Sequence, residues 1–380
     1  MFSLFTDKLT LKEKHKLKTH QYKSVDKSIL SACFFKRYTS TILNYTPECI
    51  SPNMLTLFGY SIMLANFLFV IYFDLELKNK EDWLALLSAT SLIFYFTMDN
   101  LDGAQARKLK EMSPMGQLFD HGVDSCAVFF CMISMISSLK LGLTQTSLMM
   151  MLAVMFGFYF AGLEEKFAGF FEFGQISGPT EGILFMVVLH LMSAYCNNTL
   201  KYTVDRITFY PELTRLITFI SISPLFIISL SVFLFNYIVS FIKSLKCAKW
   251  KNWKEVMLSY FSIGFLIIPL YQIHYVFPLR PDLKIINFMI FAQIFSLKYI
   301  EEVYFNIIGR TPSYVNITYI LYYLASIVVT KTKFEIDNYV LVSLLLFSTI
   351  YYLNSVSNLI MACKTALRIN VFCLNQKKIK

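Results

Sequence analysis

Residues 99–107 read DNLDGAQAR and residues 116–124 read GQLFDHGVD, and these two stretches decide the fold because they hold four aspartates beside apolar segments. Asp99 and Asp102 are three residues apart, which places both on one face of an α-helix. Asp120 and Asp124 are four residues apart and share one stripe of a second helix. We therefore expect two antiparallel helices whose four carboxylates point to a common site.

The connection between the two stretches carries the signals of one helix ending and another beginning. Ser113 suits the N-cap position of the second helix. Pro114 suits the first helical position, where its missing N–H costs nothing. Arg107, Lys108 and Lys110 make this connection basic. The sequence thus predicts a short basic turn between the aspartate-bearing helices.

The composition is that of a membrane protein. Of the 380 residues, 56% are hydrophobic and only 16% are charged, whereas soluble domains carry roughly 25% charge. Apolar runs of about 17–25 residues can cross a bilayer as helices. Ten such runs predict an all-α polytopic membrane protein. The spans are expected near residues 54–73, 83–99, 118–139, 143–162, 181–196, 216–242, 257–277, 284–299, 314–330 and 339–362.

The distribution of Lys and Arg orients these spans. Cytosolic loops retain positive charge, and residues 1–53, the even-numbered connections and the tail hold 25 of the 35 Lys and Arg residues. We therefore expect both termini in the cytosol. The net charge of +10 reflects this orientation, and nucleic-acid binding is excluded because the basic residues have no solvated domain face on which to cluster.

The chain is expected to have four regions. Residues 1–53 form a basic cytosolic segment of interfacial, amphipathic character, of which residues 1–20 are expected to be a partly disordered basic tail. Residues 54–242 form a six-helix core that holds the aspartates, residues 243–363 add four membrane helices, and residues 364–380 form a cytosolic tail.

The aspartates predict a metal site. Four carboxylates in a low-dielectric site repel one another, so a cation must neutralise them. Ligation by oxygen alone suits Mg²⁺, Mn²⁺ or Ca²⁺ better than zinc. Two such ions about 4 Å apart form the arrangement that holds a phosphate during in-line displacement. Gly103 and Gly116 flank this site and let a ligand approach the backbone. The alternative is that the aspartates pair with Arg107, Lys108 and Lys110.

The same residues carry a resemblance to a known family. The pattern D-x2-D-G-x2-A-R-x8-G-x3-D-x3-D resembles the signature of the CDP-alcohol phosphotransferases. Its fixed positions are Asp99, Asp102, Gly103, Ala106, Arg107, Gly116, Asp120 and Asp124. Further stretches, at residues 22–31, 52–56, 119–122 and 177–182, resemble the eukaryotic choline/ethanolamine phosphotransferase branch.

The resemblance implies a reaction and a set of ligands. In that family, the hydroxyl of diacylglycerol attacks the β-phosphorus of CDP-choline or CDP-ethanolamine, which releases CMP and forms a phospholipid. By similarity, the four aspartates hold two Mg²⁺ ions, with Mn²⁺ able to replace them. The nucleotide pocket is expected to be lined by Asn53, Gly103, Ala106, Arg107 and Gly116.

A positioned base should remove the proton of the attacking alcohol. His121 is the best candidate, because it adjoins Asp120 and its ordinary pKa suits proton transfer near neutral pH. Asp124 is the alternative base. Glu181, at the start of the fifth helix, is expected to contact the cationic head group or to support the base; the alternative is an acid that only satisfies the helix dipole.

Other functions compete with this one. A transporter would use intramembrane aspartates as an ion path, although clustering at one mouth of the bundle argues against it. An inositol-accepting synthase of the same family is a further alternative. Lys377 and Lys378 resemble a cytosolic dilysine retrieval signal, so we expect an endoplasmic-reticulum membrane, with the Golgi as the alternative, and an active site that faces the cytosol. A homodimer is a candidate oligomeric state.

Overall fold

The computed structural model describes residues 9–26, 28–79, 81–173, 178–195, 223–248, 252–275, 279–331 and 335–374. Nearly all the regular structure in these ranges is helical, which confirms the all-α prediction. The helices are α1 Leu11–Thr19, α2 Lys36–Tyr45, α3 Pro52–Phe73, α4 Asp82–Leu109, α5 Pro114–Ser138, α6 Gln145–Ala168, α7 Pro179–Tyr195, α8 Pro224–Cys247, α9 Trp253–Gly264, α10 Ile267–Tyr275, α11 Pro281–Ile308, α12 Ile317–Lys331 and α13 Glu335–Leu367.

The apolar helices match the ten expected spans. Within the described ranges, eight stretches are long and apolar enough to cross a membrane, and α7 and α12 are shorter apolar helices. The expected span at 257–277 is broken into α9 and α10, because Pro269 has no N–H to continue the helical hydrogen bonds. The span expected at 284–299 is longer than predicted and forms α11. The dilysine pair lies outside the described residues.

The turn between α4 and α5 forms as the sequence predicts. Lys110 ends α4 in the left-handed conformation, with a φ of 57°. The Ser113 hydroxyl then accepts a hydrogen bond from the Gly116 N–H at 3.1 Å, and Pro114 occupies the first turn of α5. Since α4 has 28 residues, it is about 42 Å long, more than the roughly 30 Å of bilayer hydrocarbon. Asp99 lies about 25 Å along this helix, close to the edge of that layer.

Helix α11 is the most buried of the spans and forms the centre of the bundle. It packs against α5, α6 and α13, while α3 packs against α4 and α5. Phe288, Phe291 and Phe295 on α11 are fully buried. The helix pair that carries the aspartates is therefore supported on one side by α3 and on the other by α11.

The start of the chain is folded onto this bundle. Helix α1 packs against α11 and α13, its Leu17 is fully buried, and Glu13 pairs with Arg310 at 2.9 Å. The prediction of a partly disordered tail is thus wrong for the residues of α1, because a single buried leucine and an ion pair anchor a helix that is otherwise highly charged. Next, β1 (Ser24–Asp26) pairs in parallel with β2 (Phe171–Phe173), the segment that follows α6. A π-helical turn at Ser31–Phe35 then leads into α2.

Candidate active site

Helices α4 and α5 bring three of the predicted aspartates together. One carboxylate oxygen from each of Asp99, Asp120 and Asp124 lies within 4.8 Å of the other two. All three side chains are partly buried. The spacing of the sequence pattern therefore produces the convergence that was expected of these three residues.

Asp102, the fourth predicted ligand, lies outside that group of three. Its side chain is 6% exposed, and it accepts a hydrogen bond from the Thr56 hydroxyl of α3. A second hydroxyl, that of Tyr95, donates to Asp124. Sequence reasoning missed both partners, although Tyr95 is one helical turn before Asp99 and Thr56 is three residues after Asn53 in a predicted span. The signal that could have found them is their spacing, since each is a polar residue three or four positions from a predicted site residue on the same helix.

The aspartate group suits a hard divalent cation. Its donors are all carboxylate oxygens, the ligands that Mg²⁺ and Mn²⁺ prefer. Asp120 Oδ1 is buried and has no hydrogen-bond partner among the described residues. A buried carboxylate oxygen without a donor is costly, and a metal ion would supply the missing partner. The residues present therefore fit a divalent cation, and the second ion stays a prediction.

His121 lies on α5 next to the aspartate group. Its side chain is 8% exposed. The Tyr22 ring meets the imidazole edge-on with centroids 5.5 Å apart, and the Tyr299 ring of α11 lies 6.5 Å away. The segment that follows α1 thus contributes to the wall of the site, and the family resemblance of residues 22–31, which begin at Tyr22, was the sequence signal for it.

The residues expected to line the nucleotide pocket are grouped at the cytosolic end predicted for α3–α5. Asn53 Oδ1 is 3.6 Å from where a Cβ on Gly116 would lie, so Gly116 keeps this side of the site open. Arg107 Nη1 is 3.4 Å from the equivalent position at Gly103. The Arg107 side chain is exposed and that of Ala106 is partly buried. Gly116 therefore faces the Asn53 amide, and Gly103 faces the Arg107 guanidinium.

The chain after α13 also reaches this mouth. The Asn53 amide donates to the Val371 carbonyl at 2.7 Å, and the Ser51 hydroxyl donates to the Phe372 carbonyl at 3.0 Å. The Phe372 ring packs edge-on against Phe119, with centroids 5.4 Å apart. Asn53 is thus partly engaged by the C-terminal segment, a contact that spans more than 300 residues and has no local signal.

Glu181 contacts the segment that leads into the π-helical turn. Its Oε1 accepts from the Ser28 hydroxyl at 2.6 Å and from the Leu30 N–H at 3.3 Å. Its Oε2 is buried and has no hydrogen-bond partner in the described part of the chain. One oxygen therefore anchors the N-terminal segment, while the roles expected for Glu181 in head-group binding or base support stay predictions.

Comparison with known proteins adds the family. Residues 49–210 match the CDP-alcohol phosphatidyltransferase family. Over 360 residues the chain is 32% identical to the CDP-diacylglycerol–serine O-phosphatidyltransferase of Encephalitozoon cuniculi, and this match covers 93% of the chain and 94% of that relative.

Two further relatives match over about half their length. The chain is 30% identical over 189 residues to choline/ethanolaminephosphotransferase 1 of Saccharomyces cerevisiae, which covers 49% of the chain and 48% of the relative. It is 30% identical over 202 residues to cholinephosphotransferase 1 of Bos taurus, which covers 52% and 49%. The branch expected from the sequence motifs is thus represented by these shorter matches, whereas the match over nearly the whole chain is to a serine phosphatidyltransferase.

Proposed function

The chain belongs to the CDP-alcohol phosphatidyltransferase family, and we propose that it transfers a phosphate-containing group from a CDP-linked substrate to an alcohol and releases CMP. The observation that carries this proposal is the convergence of Asp99, Asp120 and Asp124 within 4.8 Å. Such a group at one mouth of a helix bundle can receive a soluble nucleotide from water and a lipid from between the helices. Family membership argues against the transporter alternative.

The aspartates and Arg107 would bind the pyrophosphate. Two divalent ions, Mg²⁺ or Mn²⁺, would neutralise its charge and that of the departing CMP. Asp99, Asp120 and Asp124 would hold these ions, together with Asp102, whose carboxylate is oriented by the Thr56 hydroxyl. The exposed Arg107 guanidinium suits two-point contact with a phosphate. Around these groups, the proposed nucleotide-binding residues are Asn53, Gly103, Ala106 and Gly116.

His121 is the proposed general base. The alcohol must lose its proton as it attacks the phosphorus, and an imidazole next to the aspartate group is well placed to accept that proton. The Tyr22 and Tyr299 rings restrict the orientation of the imidazole. Asp124 is the alternative, but its carboxylate already accepts from the Tyr95 hydroxyl and belongs to the ligand group, which makes it a weak proton acceptor.

Two kinds of substrate pair are candidates, and both break the phosphoanhydride bond between the two phosphates of the CDP group. The sequence motifs favour diacylglycerol with CDP-choline or CDP-ethanolamine, which would give phosphatidylcholine or phosphatidylethanolamine. The match over 94% of a serine phosphatidyltransferase favours CDP-diacylglycerol with serine. In each pair an amino-alcohol head group and a diacylglycerol lipid meet at the site, so the aspartates and His121 would act alike on both.

The charge distribution supports a proposal for the orientation, and the dilysine resemblance of Lys377 and Lys378 supports one for the membrane. We propose that both termini and the aspartate group face the cytosol, in an endoplasmic-reticulum membrane or in the Golgi, and that residues 54–242 form the catalytic core. A homodimer is compatible with this arrangement. Protease protection of terminal tags in sealed microsomes tests the orientation, since cytosolic tags would be digested without detergent.

Activity assays would test the function directly. The purified full-length protein in lipid nanodiscs would receive diacylglycerol with CDP-choline, diacylglycerol with CDP-ethanolamine, or CDP-diacylglycerol with serine, and CMP and phospholipid would be measured. We expect at least one pair to release CMP with Mg²⁺ and none to do so with excess EDTA. Metal-independent turnover, or no turnover of any CDP-linked pair including CDP-diacylglycerol with inositol, would overturn the proposal.

A further inference from the structure

A polar cleft lies beside His121, between the segment after α1 and helices α5, α6 and α11. Its polar lining and the glycine in its wall come from four separate parts of the chain. They are His20, Gln117, Gly162, Glu165, Lys166, Glu302 and Asn306. None of the aspartates of the site takes part in this lining, so the cleft adds a second group of side chains next to the metal-binding one.

Hydrogen bonds fix the orientation of Gln117 in this cleft. Its carbonyl oxygen can only accept, and it lies 2.9 Å from His20 Nε2, which therefore donates. Its amide nitrogen donates to Glu165 Oε1 at 3.1 Å. The Glu165 carboxylate thus has a neutral amide as its hydrogen-bond partner, and no cation of the described residues forms an ion pair with it.

The one lysine of the cleft is already neutralised. Lys166 Nζ lies 2.9 Å from both Glu255 and Glu302, and its side chain is 8% exposed. Because two carboxylates already neutralise the Lys166 ammonium, it does not serve as the counter-ion of Glu165. The cleft therefore has an excess of negative charge, which favours a cationic ligand.

The cleft lies beside the site. Gln117 is one helical turn before His121 on α5, so the two side chains share a face about 6 Å apart. The Tyr299 ring contacts Gly162 and lies 6.5 Å from the His121 ring, so it stands between the cleft wall and His121. An ammonium group held at Glu165, the hydrogen-bond partner of Gln117, would therefore lie about one helical turn from His121.

We propose that this cleft binds the primary ammonium of an amino alcohol, as in serine or ethanolamine, with Glu165 as its counter-ion. The proposal rests on the proposed function and specifies its head group. A primary ammonium has three N–H donors for the acceptors present, whereas a quaternary ammonium has none and is usually held by aromatic rings. No Phe, Tyr or Trp is among the described residues that line the cleft. The cleft therefore discriminates against choline.

Two variants in adjacent positions test this assignment. Glu165→Gln removes the counter-ion and keeps the shape. Glu164→Gln is the matched control, because Glu164 pairs with Lys243 at 2.6 Å and does not line the cleft. KM and kcat would be measured for CDP-ethanolamine and CDP-choline with diacylglycerol, and for serine with CDP-diacylglycerol. Thermal stabilisation by free ethanolamine, serine, choline and CMP would be measured in parallel.

The wild-type protein should favour the primary amine over choline by roughly tenfold or more. Glu165→Gln should raise the KM for the primary amine by about tenfold with little change in kcat, and Glu164→Gln should behave as wild type. Equal KM values for Glu165→Gln and wild type, or a wild-type preference for choline, would overturn the proposal. If no pair is turned over, the proposed function fails, but the thermal stabilisation data still test the ammonium site. Stabilisation by ethanolamine or serine that Glu165→Gln abolishes would support the site. No stabilisation of the wild-type protein by either amine would refute it.

Discussion

Gly162 in α6 faces the ring of Tyr299 so closely that adding one methyl group should disturb the bundle. A Cβ at this position would lie 2.5 Å from Tyr299 Cε2 and 3.1 Å from its Cζ and hydroxyl oxygen. Since carbon atoms prefer about 3.5–4.0 Å, the ring has to move by roughly 1 Å. Tyr299 is 2% exposed, and Phe158 and Tyr159 lie against it with ring centroids 4.7 and 5.9 Å away.

Gly162→Ala should therefore lower the free energy of unfolding. Overpacking of this kind costs about 1–3 kcal/mol, while alanine gains up to about 1 kcal/mol over glycine in a helix. With the upper value for a confined ring, the net loss is about 2 kcal/mol. For a chain of this length, an unfolding entropy near 2 cal/mol/K per residue converts this to a melting temperature roughly 2–3 °C lower.

The same helix supplies the control. A Cβ on Gly157 would lie 3.3 Å from the amide nitrogen of Asn236, the mobile end of a side chain. Gly157→Ala should thus be neutral or stabilising. Thermal unfolding of both variants, purified in the same detergent, compares them directly. An unchanged melting temperature for Gly162→Ala, or a larger loss for Gly157→Ala, would refute the packing argument.

Two further substitutions probe the site and the core. Thr56→Val removes the hydroxyl that donates to Asp102 and should raise the Mg²⁺ concentration for half-maximal CMP release about tenfold. Thr56→Ser keeps the hydroxyl and should retain the wild-type value. Equal Mg²⁺ requirements for the two variants would contradict the role of the hydroxyl. Lys298→Met removes a buried cation 3.1 Å from Glu302 and should lower the free energy of unfolding in detergent by about 3 kcal/mol. Lys108→Met breaks the more exposed pair with Glu48 and should lower it by less than about 1 kcal/mol. Similar losses in the two variants would contradict the importance of burial.

Local sequence signals were sufficient for the helix pair that holds the aspartates. Ser113 and Pro114 mark the start of α5, and helical spacing places Asp120 and Asp124 where they meet Asp99, although Asp102 lies outside this group. These signals work because capping and helical periodicity act within one or two turns. The membrane class follows equally well from composition, since apolar length is a property of the chain itself.

Charged residues made the predicted length of α11 too short. The expected span stopped at residue 299, because Lys298, Glu301 and Glu302 lower its hydropathy. In the folded bundle these groups are buried and compensate one another, with Lys298 Nζ 3.7 Å from Glu301 and 3.1 Å from Glu302. Lys166 of α6 adds a second cation beside Glu302. Hydropathy counts each charge alone, so it cannot foresee a pairing between helices.

Contacts between distant parts of the chain also could not be predicted from the sequence. The Tyr22 ring reaches His121, and the Val371 carbonyl reaches Asn53. Such pairings depend on where both ends of the chain lie in the finished fold, and no periodicity in either segment encodes them. The parallel pairing of β1 with β2 is of the same kind, because each strand has only three residues.

The central claim is that the aspartates of α4 and α5 hold the divalent ions needed for transfer. Titration of the purified full-length protein with Mn²⁺, followed by the electron paramagnetic resonance signal of the free ion, measures this binding directly. We predict two bound ions per chain, and at least tenfold weaker binding in Asp120→Asn but not in Asp282→Asn, whose aspartate pairs with Arg280 outside the group. Unchanged Mn²⁺ binding in Asp120→Asn, or an equal loss in both variants, would contradict the account.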